Sequence, residues 1–281
     1  MILVDLNQVL LAGLMAQISA QKNTTLNEDL IRHMVLNIIR THVKNFKGEY
    51  GEVVLCCDNR KYWRKEYFPF YKANRKKTRE KSDLDWHLIF DMLAKFKQEL
   101  RETFPYKVID VEGAEADDII GTLVPLHCRN EKILILSSDG DFLQLQNYPN
   151  VKQYNPSLKK YVKSENPPLE LKEKIIRGDK GDGIPNIFSP GDCFVRELRQ
   201  KPITKNILDK LLKEESKDQE ESIRTNWIRN ATLIDLSFIP NEIRERIINT
   251  YDETKPASRQ KLLNYFMEHK LKNLMDVIEE F

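Results

Sequence analysis

Short strand-like runs alternate with longer stretches of helical periodicity along the first part of the chain. The strand-like runs lie at residues 2–4, 53–57, 108–111 and 133–136. The stretches whose apolar positions recur every three or four residues lie at 8–20, 27–45, 83–103 and 114–126. This alternation predicts an α/β fold, in which helices flank a mostly parallel central sheet.

The pattern changes after residue 150. A hairpin is predicted across residues 151–162, with its turn at Asn155-Pro156-Ser157. From residue 167 onward the periodicity is helical, and strand signals do not return. We therefore expect an α/β core at residues 1–165 and a helical region at residues 166–281.

Acidic residues stand where the predicted strands end. Asp5 follows the first run, Asp58 follows the second, and Asp139 and Asp141 come shortly after residues 133–136. Because the carboxyl ends of parallel strands meet at one edge of a sheet, these side chains are expected to lie together. Massed carboxylates repel one another unless protons or cations neutralise them, and hard oxygen ligands favour Mg²⁺ or Mn²⁺. The candidate metal ligands are Asp5, Asp58, Glu115, Asp117, Asp118, Asp139, Asp141, Asp179 and Asp182.

Each acid has a simpler explanation when it is taken alone. Asp is common in turns after strands, and the acids of Glu115-Ala116-Asp117-Asp118 would be stabilised at a helix N-terminus. The segment Asp179-Lys180-Gly181-Asp182-Gly183 lacks the ligand ladder of a calcium loop. It fits a turn between a helix at 170–177 and a second helix after Pro185, which either presents N–H groups to a phosphate or is an ordinary connection. Taken together, the acids favour a metal centre.

One segment concentrates positive charge. Residues 60–81 contain ten Lys and Arg against two Glu, although the whole chain has a net charge of only +2. Aromatic side chains alternate with these cations, as in surfaces that stack on unpaired bases and follow phosphates. A solvated helix or a dock for an acidic protein is the alternative. Pro69 is expected to split the segment, and Lys72 and Arg75 are predicted to share a helical face.

Composition and cysteine spacing argue against a membrane protein, a secreted protein and a zinc-binding or disulfide-bonded protein. The 281 residues can bury a substantial core, and no apolar run approaches the ~20 residues of a membrane span. The first residues lack the basic start of a signal peptide. No C-x-x-C spacing occurs among Cys56, Cys57, Cys128 and Cys193, so neither structural zinc nor disulfides are expected, and a reducing cytoplasm is the natural setting. No Ser, His or Cys nucleophile set stands out.

Six short motifs occur in one order along the chain. They are Val4-Asp5, Cys57-Asp58-Asn59, Tyr71-Lys72-x-x-Arg75, Glu115-x-Asp117-Asp118, Ser138-Asp139-Gly140-Asp141-Phe142 and Gly178-Asp179-x-x-Asp182. In this order they resemble the flap endonuclease/5′-nuclease family, and within it the ribonuclease H type of T-even phages. The resemblance covers nearly the whole chain. It implies a PIN/5′-nuclease-like core, a basic helical arch at about residues 59–83 and a helix–turn–helix DNA clamp at about residues 168–195.

The resemblance also implies a role for each candidate residue. A first Mg²⁺ would be surrounded by Asp5, Asp58, Asp117 and Asp139. A second would be served, partly through water, by Asp141, Asp179 and Asp182. Glu115 and Asp118 would fit as outer-shell or bridging groups. Lys72 and Arg75 would stabilise charge on the scissile phosphate, and Tyr71 would stack on the terminal base.

The implied activity is that of a 5′–3′ nuclease with two Mg²⁺ ions per site and Mn²⁺ as a substitute. It would combine ribonuclease H, 5′-exonuclease and flap endonuclease action on DNA and RNA–DNA duplexes, removing RNA primers and adjacent DNA from lagging-strand fragments and leaving 5′-phosphates. The implied setting is a monomer in the cytoplasm of a phage-infected bacterium, with a single-strand-binding protein and a sliding clamp as further partners. Two other functions stay open: a metal-dependent ribonuclease for single-stranded RNA, and a non-catalytic nucleic-acid-binding subunit.

Overall fold

A computed structural model describes residues 1–20, 27–80 and 84–281. Its strands are β1 (Ile2–Asp5), β2 (Val53–Cys56), β3 (Lys107–Ile109), β4 (Ile133–Leu136), β5 (Val151–Asn155) and β6 (Lys160–Val162). They form one sheet in the order β3-β2-β1-β4-β5-β6. Among the strands of the described residues, β6 pairs antiparallel with β5, and the other pairs are parallel. The predicted α/β fold with a mostly parallel sheet is confirmed, and so is the hairpin.

Helices connect and cover these strands. In the first part of the chain they are α1 (Leu6–Ala20), α2 (Glu28–Tyr50), α3 (Trp63–Tyr67), α4 (Asn74–Glu80), α5 (Trp86–Thr103) and α6 (Ala116–His127). After the hairpin they are α7 (Pro167–Arg177), α8 (Lys205–Leu211), α9 (Glu221–Ile234), α10 (Asn241–Glu253), α11 (Arg259–Glu268) and α12 (Lys272–Met275). A 3₁₀ helix, Gly140–Asn147, follows β4. Within the described residues, no helix is both long and apolar enough to cross a membrane.

Both faces of the sheet are buried, which explains why its strands are apolar throughout rather than alternating. On one face, Val4 and Leu55 pack with side chains of α1, α2, α5, α11 and α12. On the other face, Leu3 and Val54 pack with α6 and α10. The last helices of the chain therefore share their cores with the sheet, and the terminal Phe281 is fully buried.

A third apolar cluster joins the basic segment to helices α7, α8 and α9. It includes Phe68 and Tyr71 from the basic segment and Ile176 from α7. Pro69 lies between α3 and α4, so the predicted split of this segment is confirmed. Residues 81–83 lie outside the described residues, and with them Lys81 and the predicted start of a helix at Asp83.

The prediction of a second helix after Pro185 is wrong, because residues 186–203 form turns and irregular backbone. Pro190 disfavours a helical conformation at Ser189. In addition, the Asn186 side chain accepts hydrogen bonds from Phe188 N at 3.1 Å and from Ser189 Oγ at 2.9 Å. Such local side-chain bonds compete with a helical ladder. The predicted helix–turn–helix therefore has one regular helix, α7, followed by a shaped loop.

Candidate active site

Asp5 ends β1 in the middle of the sheet, and its side chain is buried. Its Oδ2 accepts a hydrogen bond from Ser137 Oγ at 2.8 Å. Burial, together with the charges of Asp58 and Asp139, raises the pKa of Asp5 to about 7. The acids that follow β1, β2 and β4 are therefore close enough to repel one another, as the strand-end argument predicts.

Asp58 and Asp117 complete this group from β2 and α6. Asp58 Oδ1 accepts a hydrogen bond from the backbone N of Ala116 at 2.8 Å, which joins the end of β2 to the start of α6. Burial raises the pKa of Asp117 well above its usual range, and the charges of Asp139 and Asp5 add to the rise. In the described residues, the ion pairs of this site go to other acids. We therefore call four residues the unpaired acids: Asp5, Asp58, Asp117 and Asp139.

Asp141 and Asp179 have a cationic partner in common. The Nζ of Lys174, in the last turn of α7, donates to Asp141 Oδ1 and lies 2.9 Å from Asp179 Oδ2. Burial raises the pKa of Asp141 to about 7 in spite of the lysine, and Asp139 contributes to the rise. Burial alone would lower the pKa of Lys174, but Asp141 and Asp179 outweigh it and raise that pKa above its usual range. The ammonium group therefore stays charged.

Asp182 is held by the basic segment. Its carboxylate accepts a hydrogen bond from Arg75 and lies 3.8 Å from Lys72 Nζ and 2.9 Å from the Tyr71 hydroxyl. Burial alone would raise the pKa of Asp182, but Lys72 and Arg75 outweigh it and lower that pKa. Lys72 Nζ also donates to Glu115 Oε1 at 2.6 Å. The predicted phosphate-binding cations thus lie among the predicted metal-site acids.

The structure corrects the predicted stacking of Tyr71 on a terminal base. Tyr71 is only 2% exposed, and its ring packs edge-on against Tyr62 with a centroid distance of 5.9 Å. Its hydroxyl lies between Asp182 and Glu115, 3.2 Å from Glu115 Oε2. A buried ring offers no face to a base. The predicted helical face shared by Lys72 and Arg75 is also wrong, because Lys72 has a φ of 56° and precedes α4.

Asp118 and Glu115 enclose a buried arginine. Arg64 donates to Asp118 Oδ1 at 2.8 Å, to Glu115 Oε2 at 3.2 Å and to the carbonyl of Leu233 at 2.9 Å. Asp118 also accepts from Trp63 Nε1 at 3.1 Å and, at its other oxygen, from the backbone N of Glu115 at 2.8 Å. Both oxygens of Asp118 are therefore bound by protein donors. This arrangement suits an outer-shell role, in which Asp118 orients its neighbours, better than direct contact with a metal.

The turn at residues 178–183 is shaped by its glycines and docked on the basic segment. Gly178 has a φ of 69°, and a Cβ there would lie 2.3 Å from the carbonyl oxygen of Ile184. The backbone N–H groups of Asp179, Asp182 and Ile184 are bonded within the turn. The prediction that this turn presents N–H groups to a phosphate is therefore wrong for these three. The backbone N of Lys72 donates to the carbonyl of Asp182 at 2.7 Å, which fixes the basic segment to the turn.

Three residues of the site were missed by reasoning from sequence. Ser137 directly precedes the motif Ser138-Asp139-Gly140-Asp141-Phe142, and its hydroxyl donates a hydrogen bond to Asp5. Arg64 was counted among cations that follow phosphates, yet it is fully buried. Lys174 lies in a predicted helix, five residues before Asp179. The available signal was a cation in the last turn of a helix that leads directly into an acidic loop.

The donor chemistry of the unpaired acids suits a divalent cation. Four carboxylates converge there with no Lys or Arg ion pair in the part of the chain that the structure describes, and the pKa of two of them, Asp5 and Asp117, is raised. Carboxylates in this condition are the groups that a hard cation stabilises. As the side chains stand, no group of three or more Asp, Glu, His or Cys in the described parts of the chain is arranged to hold a metal ion. Side-chain rotation or bridging water would have to complete a ligand set.

Known protein families match both parts of the chain. The family model "5′-3′ exonuclease, N-terminal resolvase-like domain" matches residues 1–175, and the model "T4 RNase H, C terminal" matches residues 165–281. The chain is 36% identical to ribonuclease H of Enterobacteria phage T4, over 99% of this chain and 95% of that protein. It is 31% identical to a 5′-3′ exonuclease of Buchnera aphidicola from Acyrthosiphon pisum, over 77% of this chain and 72% of that protein.

Solved structures share the fold. The 5′-exonuclease of phage T5 with bound zinc aligns with a TM-score of 0.64 and 16% identity, covering 90% of this chain and 98% of that chain. A T5 flap endonuclease in a pseudo-enzyme–product complex with DNA and metal ions aligns with a TM-score of 0.60 and 16% identity, covering 90% and 99%. The resemblance carried by the six motifs is thus confirmed. The chain is a nuclease of the 5′-3′ exonuclease family, and its C-terminal part is of the T4 RNase H type.

Proposed function

We propose that this nuclease hydrolyses phosphodiester bonds at the 5′ ends of DNA and RNA–DNA duplexes, with two divalent cations, Mg²⁺ in the cell and Mn²⁺ as a substitute. It would act as ribonuclease H, 5′-exonuclease and flap endonuclease, removing RNA primers and adjacent DNA and leaving 5′-phosphates. The observation that carries the proposal is the convergence of the unpaired acids at one edge of the sheet. Carboxylates of β1, of α6 and of the segments after β2 and β4 meet there, and among the described residues the ion-pairing cations of the site contact other acids.

The unpaired acids would hold the first ion, and Asp141, Asp179 and Asp182 would serve the second, partly through water. Bound ions of this kind supply an activated water molecule and neutralise charge on the leaving oxygen. Glu115 would stay behind the ligands, because its carboxylate already orients Lys72. Asp118 would keep Arg64 in place, and with it the junction of the basic segment and α6.

Lys72 and Arg75 would contact the scissile phosphate. Burial alone would lower the pKa of Lys72, but Asp182 and Glu115 raise it above its usual range, so its charge persists at any working pH. Its side chain is 14% exposed and already lies between two acids of the site. A fixed cation aimed at developing phosphate charge stabilises the transition state more than the bound substrate.

The substrate would be gripped on two sides of this centre. We assign residues 1–165 to the nuclease core, with an arch at about residues 59–83, and residues 166–281 to a helical region that contacts duplex through residues 168–195. The exposed Tyr67 would take over the base contact first assigned to Tyr71, since 48% of its surface is accessible. A monomer in the cytoplasm of a phage-infected bacterium, working beside a single-strand-binding protein and a sliding clamp, fits this activity.

The test is a digestion of end-labelled substrates with Mg²⁺, with EDTA, and with Mg²⁺ restored. A 5′ flap, a nicked duplex, an RNA primer on DNA and free single-stranded RNA should be compared. Short products with 5′-phosphates from the duplex substrates, abolished by EDTA and restored by Mg²⁺, are expected. Preferential cutting of free RNA would favour the single-strand ribonuclease, and binding without cleavage would favour the non-catalytic subunit.

A matched variant makes the test specific to the site. Asp139→Asn keeps an oxygen for the hydrogen bond from the backbone N of Asp141, now 2.8 Å long, but removes one of the unpaired charges. We expect this variant to bind the flap substrate in Mg²⁺ and not to cut it. Cleavage near the wild-type rate would contradict the assignment of the unpaired acids.

A further inference from the structure

Lys174 stands where a cation would be expected to bind. Its Nζ joins two carboxylates of different elements, Asp141 in the 3₁₀ helix after β4 and Asp179 in the turn after α7. The lysine side chain is 27% exposed and the two acids are 13% and 24% exposed, so the contact is largely shielded from solvent. An ammonium group in this position neutralises part of the charge that a metal ion would otherwise neutralise.

The acids of the site are unequally balanced by protein cations. Asp141 and Asp179 contact Lys174, and Asp182 contacts Arg75 and lies near Lys72. The unpaired acids have no such partner among the described residues. The attraction for a divalent cation should therefore be much stronger at the unpaired acids than at the group held by Lys174.

We propose that the Lys174 ammonium competes with a divalent cation for the oxygens of Asp141 and Asp179, and thereby sets a low affinity for the second ion of the site. The inference rests on the proposed function, which supplies the need for two ions. Mg²⁺ binds its oxygen ligands at about 2.0–2.1 Å, whereas the ammonium nitrogen lies 2.9 Å from Asp179 Oδ2 and also contacts Asp141. Both cations cannot sit between the same two oxygens, so the lysine must withdraw when the ion enters.

The geometry allows that withdrawal. Lys174 carries its charge on a flexible four-carbon stem in the last turn of α7. The C-terminal end of that helix is capped by the backbone N of Gly178, without help from the lysine side chain. Once displaced, the ammonium would lie near the ions and could bind a substrate phosphate. Entry of the second ion and capture of the substrate would then favour each other.

A purely structural role for Lys174 predicts the opposite effect of removing it. If the lysine only tied the turn at residues 178–183 to the 3₁₀ helix, its loss would loosen the second group of acids and weaken metal binding. If it competes, its loss should tighten binding of the second ion. The sign of the change separates the two roles, and damage to the fold cannot imitate a gain of affinity.

The experiment measures Mn²⁺ binding to the whole protein without substrate, by the electron paramagnetic resonance signal of free Mn²⁺. Wild type is expected to show one tight and one weak site. Lys174→Met should tighten the weak site by about tenfold and leave the tight site unchanged. Lys172→Met removes a lysine from the same helix that contacts Glu214 and Glu215 instead, and should change neither site. Lys174→Gln, which keeps a polar side chain, should tighten the weak site as Lys174→Met does.

A weak site that is unchanged or weaker in both Lys174 variants would overturn the inference. Circular dichroism and melting of each variant check the fold, and Lys174→Gln provides a second folded variant if Lys174→Met does not fold. The same preparations should also be tested on the labelled flap substrate. If wild type cuts the flap only with a divalent cation but the weak site does not tighten in the variants, the proposed function stands and the competition is rejected. Wild type that never cuts rejects the proposed function itself.

Discussion

Ser137 Oγ donates to Asp5 Oδ2 at 2.8 Å and at the same time accepts a hydrogen bond from the backbone N of Asp139 at 3.0 Å. One fully buried hydroxyl therefore connects the acid that ends β1 to the acid that follows β4. The distance between two unpaired acids is set by this contact. Groups that orient metal ligands are commonly worth a factor of about 10–100 in metal affinity or activity.

Ser137→Ala should lower the cleavage rate by about 10–100-fold and raise the Mg²⁺ concentration needed for half the maximal rate. The loss of the two hydrogen bonds of this hydroxyl should cost about 2 kcal/mol of stability, so the protein stays folded. Single-turnover cleavage over a Mg²⁺ titration measures both effects. Ser138→Ala is the matched control, since its hydroxyl contacts Asn155 and Ser157 instead. Equal behaviour of the two variants would contradict the role of Ser137.

Lys72→Ala should lower the single-turnover rate by about 100–1,000-fold while changing substrate affinity little, because a phosphate contact of this kind strengthens in the transition state. Lys61→Ala is the control, since Lys61 belongs to the same basic segment but its side chain is 76% exposed and forms its ion pair with Glu112, away from the acids of the site. Lys61→Ala should weaken binding slightly and leave the rate at saturation unchanged. If Lys72→Ala weakens substrate binding but leaves the single-turnover rate at saturation unchanged, the assignment of Lys72 is contradicted.

Tyr71→Phe tests the corrected role of this residue. The ring can keep its packing, but Asp182 and Glu115 lose their contact with the hydroxyl, so we expect a loss of about 1–2 kcal/mol in the free energy of unfolding and a lower cleavage rate. A base-stacking residue would tolerate Phe without loss. Tyr67→Phe, at an exposed ring, should be neutral in both measurements. Full activity and stability of Tyr71→Phe would restore the stacking interpretation.

The unpaired acids could be located from sequence because their positions depend only on strand order. A parallel sheet brings the carboxyl ends of its strands to one edge, so Asp5, Asp58 and Asp139 are placed once β1, β2 and β4 are recognised. Asp117 lies in the first turn of α6, a helix that begins at the same edge. These are properties of the backbone, which hydrophobic periodicity reports directly.

The partners of the other acids could not be located in this way. The contacts of Lys174 with Asp141 and of Arg64 with Asp118 join residues 33 and 54 positions apart, and depend on how helices pack on the sheet. Charge patterning gives the same signal for a buried arginine as for an exposed one. The burial of Tyr71 was hidden for a similar reason, because an aromatic residue in a basic segment fits both a base-stacking surface and a small apolar core.

Stability should depend on pH in a direction set by the buried acids. The pKa of Asp5 and of Asp141 is about 7 in the folded protein, against an ordinary value of 3.8, so ionisation of these groups opposes folding. The penalty is complete above about pH 7 and is relieved as the pH falls toward 4. The melting temperature of chelator-treated protein should rise as the pH is lowered from about 8 to 5.5. Mg²⁺ should raise the melting temperature most at the higher pH. A melting temperature that stays constant or decreases as the pH is lowered over that interval would contradict this expectation.

Asp117 and Asp118 are consecutive residues in the first turn of α6, and their substitution should separate activity from stability. Asp117 has a raised pKa and belongs to the unpaired acids, so Asp117→Asn removes repulsion and should leave the melting temperature unchanged or higher. Cleavage should nevertheless fall by at least about 100-fold, because losing a metal ligand should cost more activity than losing a group that only orients a ligand. Asp118→Asn instead leaves the buried Arg64 short of a charged partner, which should cost about 3–5 kcal/mol. Thermal unfolding and single-turnover cleavage of both variants measure the contrast, and a reversed order in either measurement would show that the two acids have been assigned the wrong way round.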